Sequence, residues 1–330
     1  MSNGIGRKRT MGISVEGTYG TPVSAPTFVL PLQDTPRIEV VQSKARNISA
    51  LGSSYQADSL INTVRYANVS LNVKVDEDTL PLFFKQKFTI SSSTVSGETT
   101  VYQHTLSYSN SNQGASFTLW LDDDDRTSQQ VAGVVFSNIN VVAEPSGLLR
   151  LEITGMGKFP TTWAGSNTVT QPREFVGRNA VFSYGDYSGA LASYNLLKGS
   201  FNHTFGLSGE DVNFALGEDD LVGLYTLEDE FMAEIQALFP NLDDRDDYAN
   251  NTKKKWAVAV TDSSRYVTGS VTNVSPSILL NYPVGYVEQW SEEGGLGDVL
   301  KQNLTLLPTD EVGVANAPMN IVVVNGTASY

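Results

Sequence analysis

The chain has no cysteine, which excludes a disulfide frame, a thiol nucleophile and a zinc–thiolate site. Histidine is nearly absent as well. His104 and His203 are the only two, so any Ser-His-Asp triad must use one of them, and no G-x-S-x-G elbow is present. Basic residues are scarce: Lys and Arg number 22 against 36 Asp and Glu, a net charge of −14. That balance argues against a surface that grips nucleic-acid phosphates and predicts one that repels them. No apolar run approaches the ~20 residues of a membrane-spanning helix. The opening MSNGIGRKRTMGI is basic but lacks the apolar stretch of a signal peptide, so the expectation is synthesis in a cytoplasm. The N-x-S/T sequons at Asn47 and Asn303 then carry little meaning.

Signals for helix are few. The best is DEDTLPLFFK, where Asp78 is placed to cap and Leu80, Phe83 and Phe84 share a face. What is present in quantity is strand. Val69, Leu71, Val73 and Val75 alternate with Asn68, Ser70, Asn72 and Lys74, and Leu149, Leu151 and Ile153 alternate with Arg150, Glu152 and Thr154. A period of two gives each such strand one apolar and one polar face. WAVAV and NIVVV are β-branched or aromatic runs of strand length. Hydrophobic residues make up 40% of the chain, enough for a real core. The fold class is mainly β with short helices.

Punctuation by Gly, Pro, Ser and Asn divides the 330 residues into an N-terminal arm (1–30), a first β domain (31–160), a connection (161–190) and a second β domain (191–330). The two domains resemble each other. SFTLWLDDDDRTSQQVAGVVFSNI has a partner in KWAVAVTDSSRYVTGSVTNV, with Phe117 matching Trp256 and Arg126 matching Arg265. SGLLRLEITG matches GDVLKQNLTL: Leu149 with Leu300, Arg150 with Lys301, Ile153 with Leu304, Thr154 with Thr305. ALG at 50–52 recurs at 215–217. The main difference is a polar insertion in the first half, TISSSTVSGETTVYQHTLSYSNSNQ, read as a hairpin or loop. The repeat also decides an ambiguous segment. EFMAEIQALF fits helix or strand by periodicity, but its counterpart NVSLNVKV makes it a strand and shifts the helix to LDDRDDYANN.

Candidate chemistry is thin. The run Asp122, Asp123, Asp124 and Asp125 lacks the alternating ligands, central Gly and terminal Glu of a calcium loop, and its repeat partner keeps only Asp262. A solvated strand-end turn is the simpler reading. GEDDLVG has no Lys-Ser/Thr and places acids where a phosphate would sit. A carboxylate pair for glycoside cleavage is defined by separation in space and is not legible here.

In order along the chain, GISVEGTYGTP, DEDTLPLFFK, GVVFSNINVVAEPSGLLRLEITGMG and the terminal VVNGTASY resemble the tail tube proteins (major tail proteins) of long-tailed, siphovirus-like bacteriophages. The resemblance covers nearly the whole chain and rests on the order of these stretches. It implies two tandem tail-tube-like β-sandwich or half-barrel units whose sheets close into a β-barrel ring on oligomerisation. It implies a structural virion protein of the tail, assembled in the host bacterial cytoplasm, that is not an enzyme and has no cofactor, metal or catalytic residue. Its rings would stack into a conduit through which phage DNA passes without specific binding. A duplicated chain predicts trimeric, pseudo-six-fold rings in place of hexamers, with tail terminator, tape-measure and tail-tip proteins as further partners. Alternation and resemblance together nominate Asn68, Ser70, Asn72, Lys74, Arg150, Glu152, Lys301 and Asn303 as lumen-facing. They nominate Gly12, Glu16, Tyr19 and Pro22 of the arm, and Leu51, Ser54, Tyr55, Leu216, Glu218 and Asp220 of the ALG loops, as contacts between rings. Two other readings stay open on the residues alone: a tail or fibre β-sandwich adhesin, and a carbohydrate-active β enzyme.

Overall fold

The computed structural model describes residues 8–47, 59–123, 127–169, 173–208, 213–216, 218–238, 242–294, 298–311, 313–315 and 318–330. In chain order the strands are β1 (Thr10–Val15), β2 (Phe28–Val29), β3 (Arg37–Asn47), β4 (Ser59–Lys74), β5 (Phe88–Thr94), β6 (Tyr102–Tyr108), β7 (Phe117–Asp122), β8 (Gln129–Ala143) and β9 (Arg150–Gly157). There follow β10 (Thr161–Thr162), β11 (Ala180–Asp186), β12 (Ala192–Tyr194), β13 (Leu196–Leu207), β14 (Thr226–Leu238), β15 (Lys254–Thr261), β16 (Ser277–Glu293), β17 (Lys301–Pro308) and β18 (Asn320–Asn325). Helix α1 (Leu80–Phe84) follows β4, and α2 (Leu242–Asn250) follows β14. The protein is mainly β and antiparallel, and within one chain the sheet is not closed.

Two layers enclose the core. The first is a run of eight antiparallel strands in the order β3–β4–β9–β8–β13–β14–β17–β16. The second is built from β2–β1–β7–β8–β10 on one side and β12–β11–β15–β16–β18–β6–β5 on the other. The long strands β8 and β16 serve both layers. Each gives its N-terminal part to the outer layer and its C-terminal part to the eight-strand run. A bulge marks the change in each, between Phe136 and Asn138 in β8 and between Val287 and Gln289 in β16. An extra unpaired residue bends a strand and increases its twist, so one strand can turn the corner between layers.

The eight-strand run repeats itself. β3–β4–β9–β8 and β13–β14–β17–β16 have the same order and the same registers. Arg37, Ser70, Thr154 and Asn138 line up across the first four strands as Ser200, Glu234, Thr305 and Gln289 do across the second. The sequence matches of Arg150 with Lys301 and Thr154 with Thr305 fall at equivalent places of β9 and β17. EFMAEIQAL, the described part of EFMAEIQALF, lies in β14 and LDDRDDYAN forms α2, both as expected.

Period-two alternation becomes a layered core. In β9 and β17 every second side chain is buried, and the inward residues of β4, β9, β8, β13 and β14 meet those of the outer layer. α1 fills the space between layers: all five of its residues are buried, and Phe83 and Phe84 stack edge-on against Phe136 and Phe88. The expected Asp78 cap is not formed: Thr79 is the N-cap residue and makes no side-chain capping bond, and the turn before the helix is held from Asp76. Oδ1 of Asp76, rather than of Asp78, accepts the N–H groups of Asp78 and Thr79 and the Thr79 hydroxyl.

Two boundaries also differ. By sequence, residues 1–30 read as an arm, yet from Thr10 onward they supply β1, paired with β7 along its whole length and buried from Met11 to Ser14. The connection 161–190 contains β10 and β11, and β11 is the strand that flanks β15 as β1 flanks β7. The polar insertion is the β5–β6 hairpin, as expected. Its β6 pairs with β18, so the last strand of the chain is held by the first half.

Glu16 explains why the N-terminal segment lies down. Its carboxylate accepts the Gly20 N–H, the Ser116 and Thr118 hydroxyls and the Gly133 N–H at 2.7–2.8 Å. Gly133 sits at φ +64° and packs against the Tyr19 ring, a place where any Cβ would be strained and crowded. Replacing Glu16 with Ala leaves four donors without their acceptor. We expect a loss of about 3 kcal/mol, from the cost of stranding buried partners of a charged group, read as a lower midpoint in urea unfolding. An unchanged midpoint would show that the segment is not held this way.

Candidate functional site

The outward face of the eight-strand run carries every residue nominated as lumen-facing. It is polar across its middle and passes at the Asn68 end into an apolar cluster of Tyr66, Val41, Met156 and Val135 packed with Leu221 and Leu224. Ser70 lies opposite Thr154, Asn72 opposite Glu152 and Lys74 opposite Arg150, with Asn68 one step along β4. Asn303 and Lys301 extend the same face through Gln236 and Leu238 of β14. Between these two groups run β8 and β13, whose polar residues were not nominated: Asn138, Asn140, Ser200 and Asn202. Their signal was present, because Asn202 and Thr204 alternate with Phe201, His203 and Phe205, all three buried.

Side-chain hydrogen bonds tie the strands along this face. The Asn138 amide donates to Oδ1 of Asn202 at 2.5 Å and to the Thr204 hydroxyl at 3.2 Å. The Ser200 hydroxyl donates to Oδ1 of Asn140 at 2.8 Å, and the Asn140 amide donates to Glu152 at 3.3 Å. Farther on, the Gln236 amide donates to Asn303 at 2.9 Å and to Glu293 at 3.0 Å. A shallow trough of about 770 Å³ follows the middle of the face, lined by Asn, Ser and Thr with Glu152, Glu234, Asp34 and Arg37.

The charges carried by the strands of this face balance by register, while the trough itself is lined by three acids, Asp34, Glu152 and Glu234, and one base, Arg37. Arg37, Lys74, Arg150, Lys198 and Lys301 share the face with Glu39, Glu152, Glu230, Glu234 and Glu293. Most of the chain's net charge of −14 therefore lies off the strands of this face. Several of these charges are paired at the surface: Lys74 with Glu174 at 2.7 Å, and Arg150 with Glu144 and Glu152 at 3.3 Å. Such pairs are worth little individually, so they shape the local field more than the stability.

The run ends in two open edges. Among the described residues, β3 pairs only with β4, and β16 beyond Gly285 pairs only with β17. Unpaired N–H and C=O groups on such edges are templates for another strand.

The residues nominated as inter-ring contacts scatter. Gly12 and Glu16 are buried within the chain, so their side-chain positions are spent internally. Tyr19 is half-buried under Lys158, and burial pushes its hydroxyl up from the usual tyrosine range. Asp220 accepts the Phe159 N–H at 3.0 Å. Pro22, Leu216 and Glu218 are exposed. Leu51, Ser54 and Tyr55 lie outside the described residues.

The remaining candidate groups are structural in their contacts. Asp123 pairs with Arg9 at 2.8 Å, and Asp122 accepts the Asn167 N–H at 2.8 Å and the Ser128 hydroxyl at 3.0 Å. Asp124, Asp125 and Arg126 lie outside the described residues. Among the described residues no three His, Cys, Asp or Glu side chains gather as a metal site would require. His203 is fully buried between the Ile139 carbonyl at 2.9 Å and the Tyr282 hydroxyl at 3.0 Å, and desolvation lowers it to about 4. His104 lies opposite Ser92 across the β5–β6 hairpin, with Nδ1 2.7 Å from the Ser92 hydroxyl. Its Nε2 faces only acceptors, Oδ1 of Asn325 at 2.9 Å and the Thr327 carbonyl at 2.8 Å, so Nε2 carries the proton and Nδ1 accepts from Ser92. That Ser-His-Asn line joins the hairpin to the chain's C-terminal segment.

No protein-family model matches the chain, and no curated protein matches it either.

Two buried groups give stability a pH dependence. Burial, with Asp78 and Glu77 nearby, raises the Asp76 carboxyl to about 7 against the hydrogen bonds from Thr79. Its contribution is complete below the ordinary aspartate range and is lost as pH rises through about 7. His203 is the reverse: its contribution is present above about 6.5 and is lost as pH falls through about 4. Asp76→Asn keeps the accepting oxygen and removes the charge. Its urea midpoint relative to the native chain should therefore climb between pH 5 and pH 8. Parallel profiles over that range would show that Asp76 does not titrate there.

Proposed function

We propose that the chain is a tail tube subunit of a long-tailed bacteriophage virion, acting through assembly geometry rather than bond chemistry. The observation that carries this reading is the repeated four-strand unit. Within one chain, two such units are already joined side by side by β8 and β13. The joint leaves one unused copy of each partner edge, β3 and the C-terminal part of β16. Head-to-tail repetition of the same joint removes both edges, and a rotation that closes gives a ring. Three chains supply six units, a pseudo-six-fold ring with the polar face toward its lumen.

The mixed character of that face suits a passage for DNA. It has no basic stripe to release counterions from a polyanion, so it offers no strong electrostatic hold. Asn138, Asn140, Ser200, Asn202 and Thr204 hydrogen-bond one another across β8 and β13, which occupies the amide donors at the centre of the face. Exposed Leu216 and Glu218 sit on the β13–β14 loop, where they are available to a stacked ring.

Negative-stain images of the purified chain should show six-lobed rings or hollow tubes, and native mass spectrometry should give three chains per ring. Six chains per ring would overturn the trimer. Persistent globular monomers at high concentration would overturn the tube subunit itself.

A further inference from the structure

The structure contains a worked example of the contact that an open edge needs. At the β8–β13 junction, Val142 lies opposite Ser200, Asn140 opposite Asn202, Asn138 opposite Thr204 and Ile139 opposite His203. Registers within the two repeats place Glu293, Ser291 and Gln289 of β16 where Val142, Asn140 and Asn138 stand in β8. They likewise place Arg37, Glu39 and Val41 of β3 where Ser200, Asn202 and Thr204 stand in β13.

We infer that β3 of one copy pairs with β16 of a second copy in the β8–β13 register, with Arg37 opposite Glu293 and Glu39 opposite Ser291. This rests on the ring reading above and adds its register. Three independent features fit. The internal junction has neutral Val142 and Ser200 at the position where the open edges carry a base and an acid. The Asn138-to-Asn202 hydrogen bond has a competent counterpart in Gln289 and Glu39, and the Ser200-to-Asn140 bond in Arg37 and Ser291. On the core side, His203 is fully buried at the internal junction, whereas Val40, in the equivalent place, is 47% exposed. In the inferred register Val40 meets Trp290 of the second copy, and the exposed apolar surface is covered.

The Arg37–Glu293 pair also gives the contact a direction. A β3 edge meeting another β3 edge brings Arg37 and Glu39 together without Trp290, and two β16 edges bring acids together. Only the head-to-tail contact matches base with acid and Val with Trp.

Because the chain lacks cysteine, the register can be read by cross-linking. Directly opposed residues of an antiparallel pair have Cα atoms about 4.5–5.5 Å apart, within disulfide range. The chain carrying Glu39→Cys and Ser291→Cys should oxidise to a covalent ladder ending in a closed trimer. The chain carrying Glu39→Cys and Gln289→Cys, two residues out of register, should not. Charge reversal gives a second readout. Arg37→Glu or Glu293→Arg alone should raise the concentration needed for half-assembly roughly tenfold, and the double variant should restore it. Native rings with a ladder only from the out-of-register pair, or with none, would overturn the register and leave the ring standing. Native chains that form neither rings nor ladder would overturn both.

Discussion

Backbone pairing between β8 and β13 is the contact on which the rest of the molecule depends. It fuses two four-strand units into one eight-strand surface, and it does so at the middle, where neither unit alone has a finished edge. Without it, Phe201 and His203 would lose the strand beside them, and the Asn138, Asn140, Ser200 and Asn202 network would have no second side. The same contact defines what is left over. An antiparallel junction uses one edge from each unit, so two joined units always retain one edge of each kind.

The outer layer makes this surface rigid by crossing the chain over itself. β18 is held between β16 and β6, so the last strand links the second unit to the hairpin of the first. Lys87 and Asp229 form a buried ion pair at 2.8 Å, with the Tyr108 hydroxyl donating to the same carboxylate at 2.6 Å. Removing one member of such a pair costs far more than the pair contributes net, which favours a single docked arrangement. Arg265 grips Glu77 with two bonds of 2.7 Å, and Glu98 at the hairpin tip accepts from Ser270, Val271 and Thr272. The Thr272 hydroxyl and its neighbours hold the Glu98 carboxyl down at about 2. These contacts tie the β5–β6 hairpin and α1 of the first unit to the second unit.

Charge is distributed by face rather than by sequence segment. The balanced polar face and the acidic remainder of the surface have different consequences: solubility for the outside of the molecule, and weak, short-ranged fields along the trough. In the proposed tube, a polyanion in transit would meet charges of both signs and, along β8 and β13, amides bonded to one another.

The order of residues alone sets which side chains share a face, because strand alternation is local and needs no partner. Asn68, Ser70, Asn72 and Lys74 had to lie together once β4 formed, and Arg150 with Glu152 likewise. It also carried the repeat, since Arg150 and Lys301 hold equivalent places in a common four-strand order. Tertiary structure decided everything that depends on which strand lies beside which. Glu16 reads as an exposed arm residue until Ser116, Thr118 and Gly133 converge on it from distant strands. Asp78 does not cap α1 because its carboxylate accepts the Thr327 hydroxyl from the far end of the chain, while Asp76 holds the turn before the helix. The polar residues of β8 and β13 joined the face through a pairing between repeats, and the open edges are defined by pairings that β3 and β16 do not make. Hydrogen-bond partners in a sheet are chosen non-locally, so alternation can say that an edge has a polar side but not whether the edge is free.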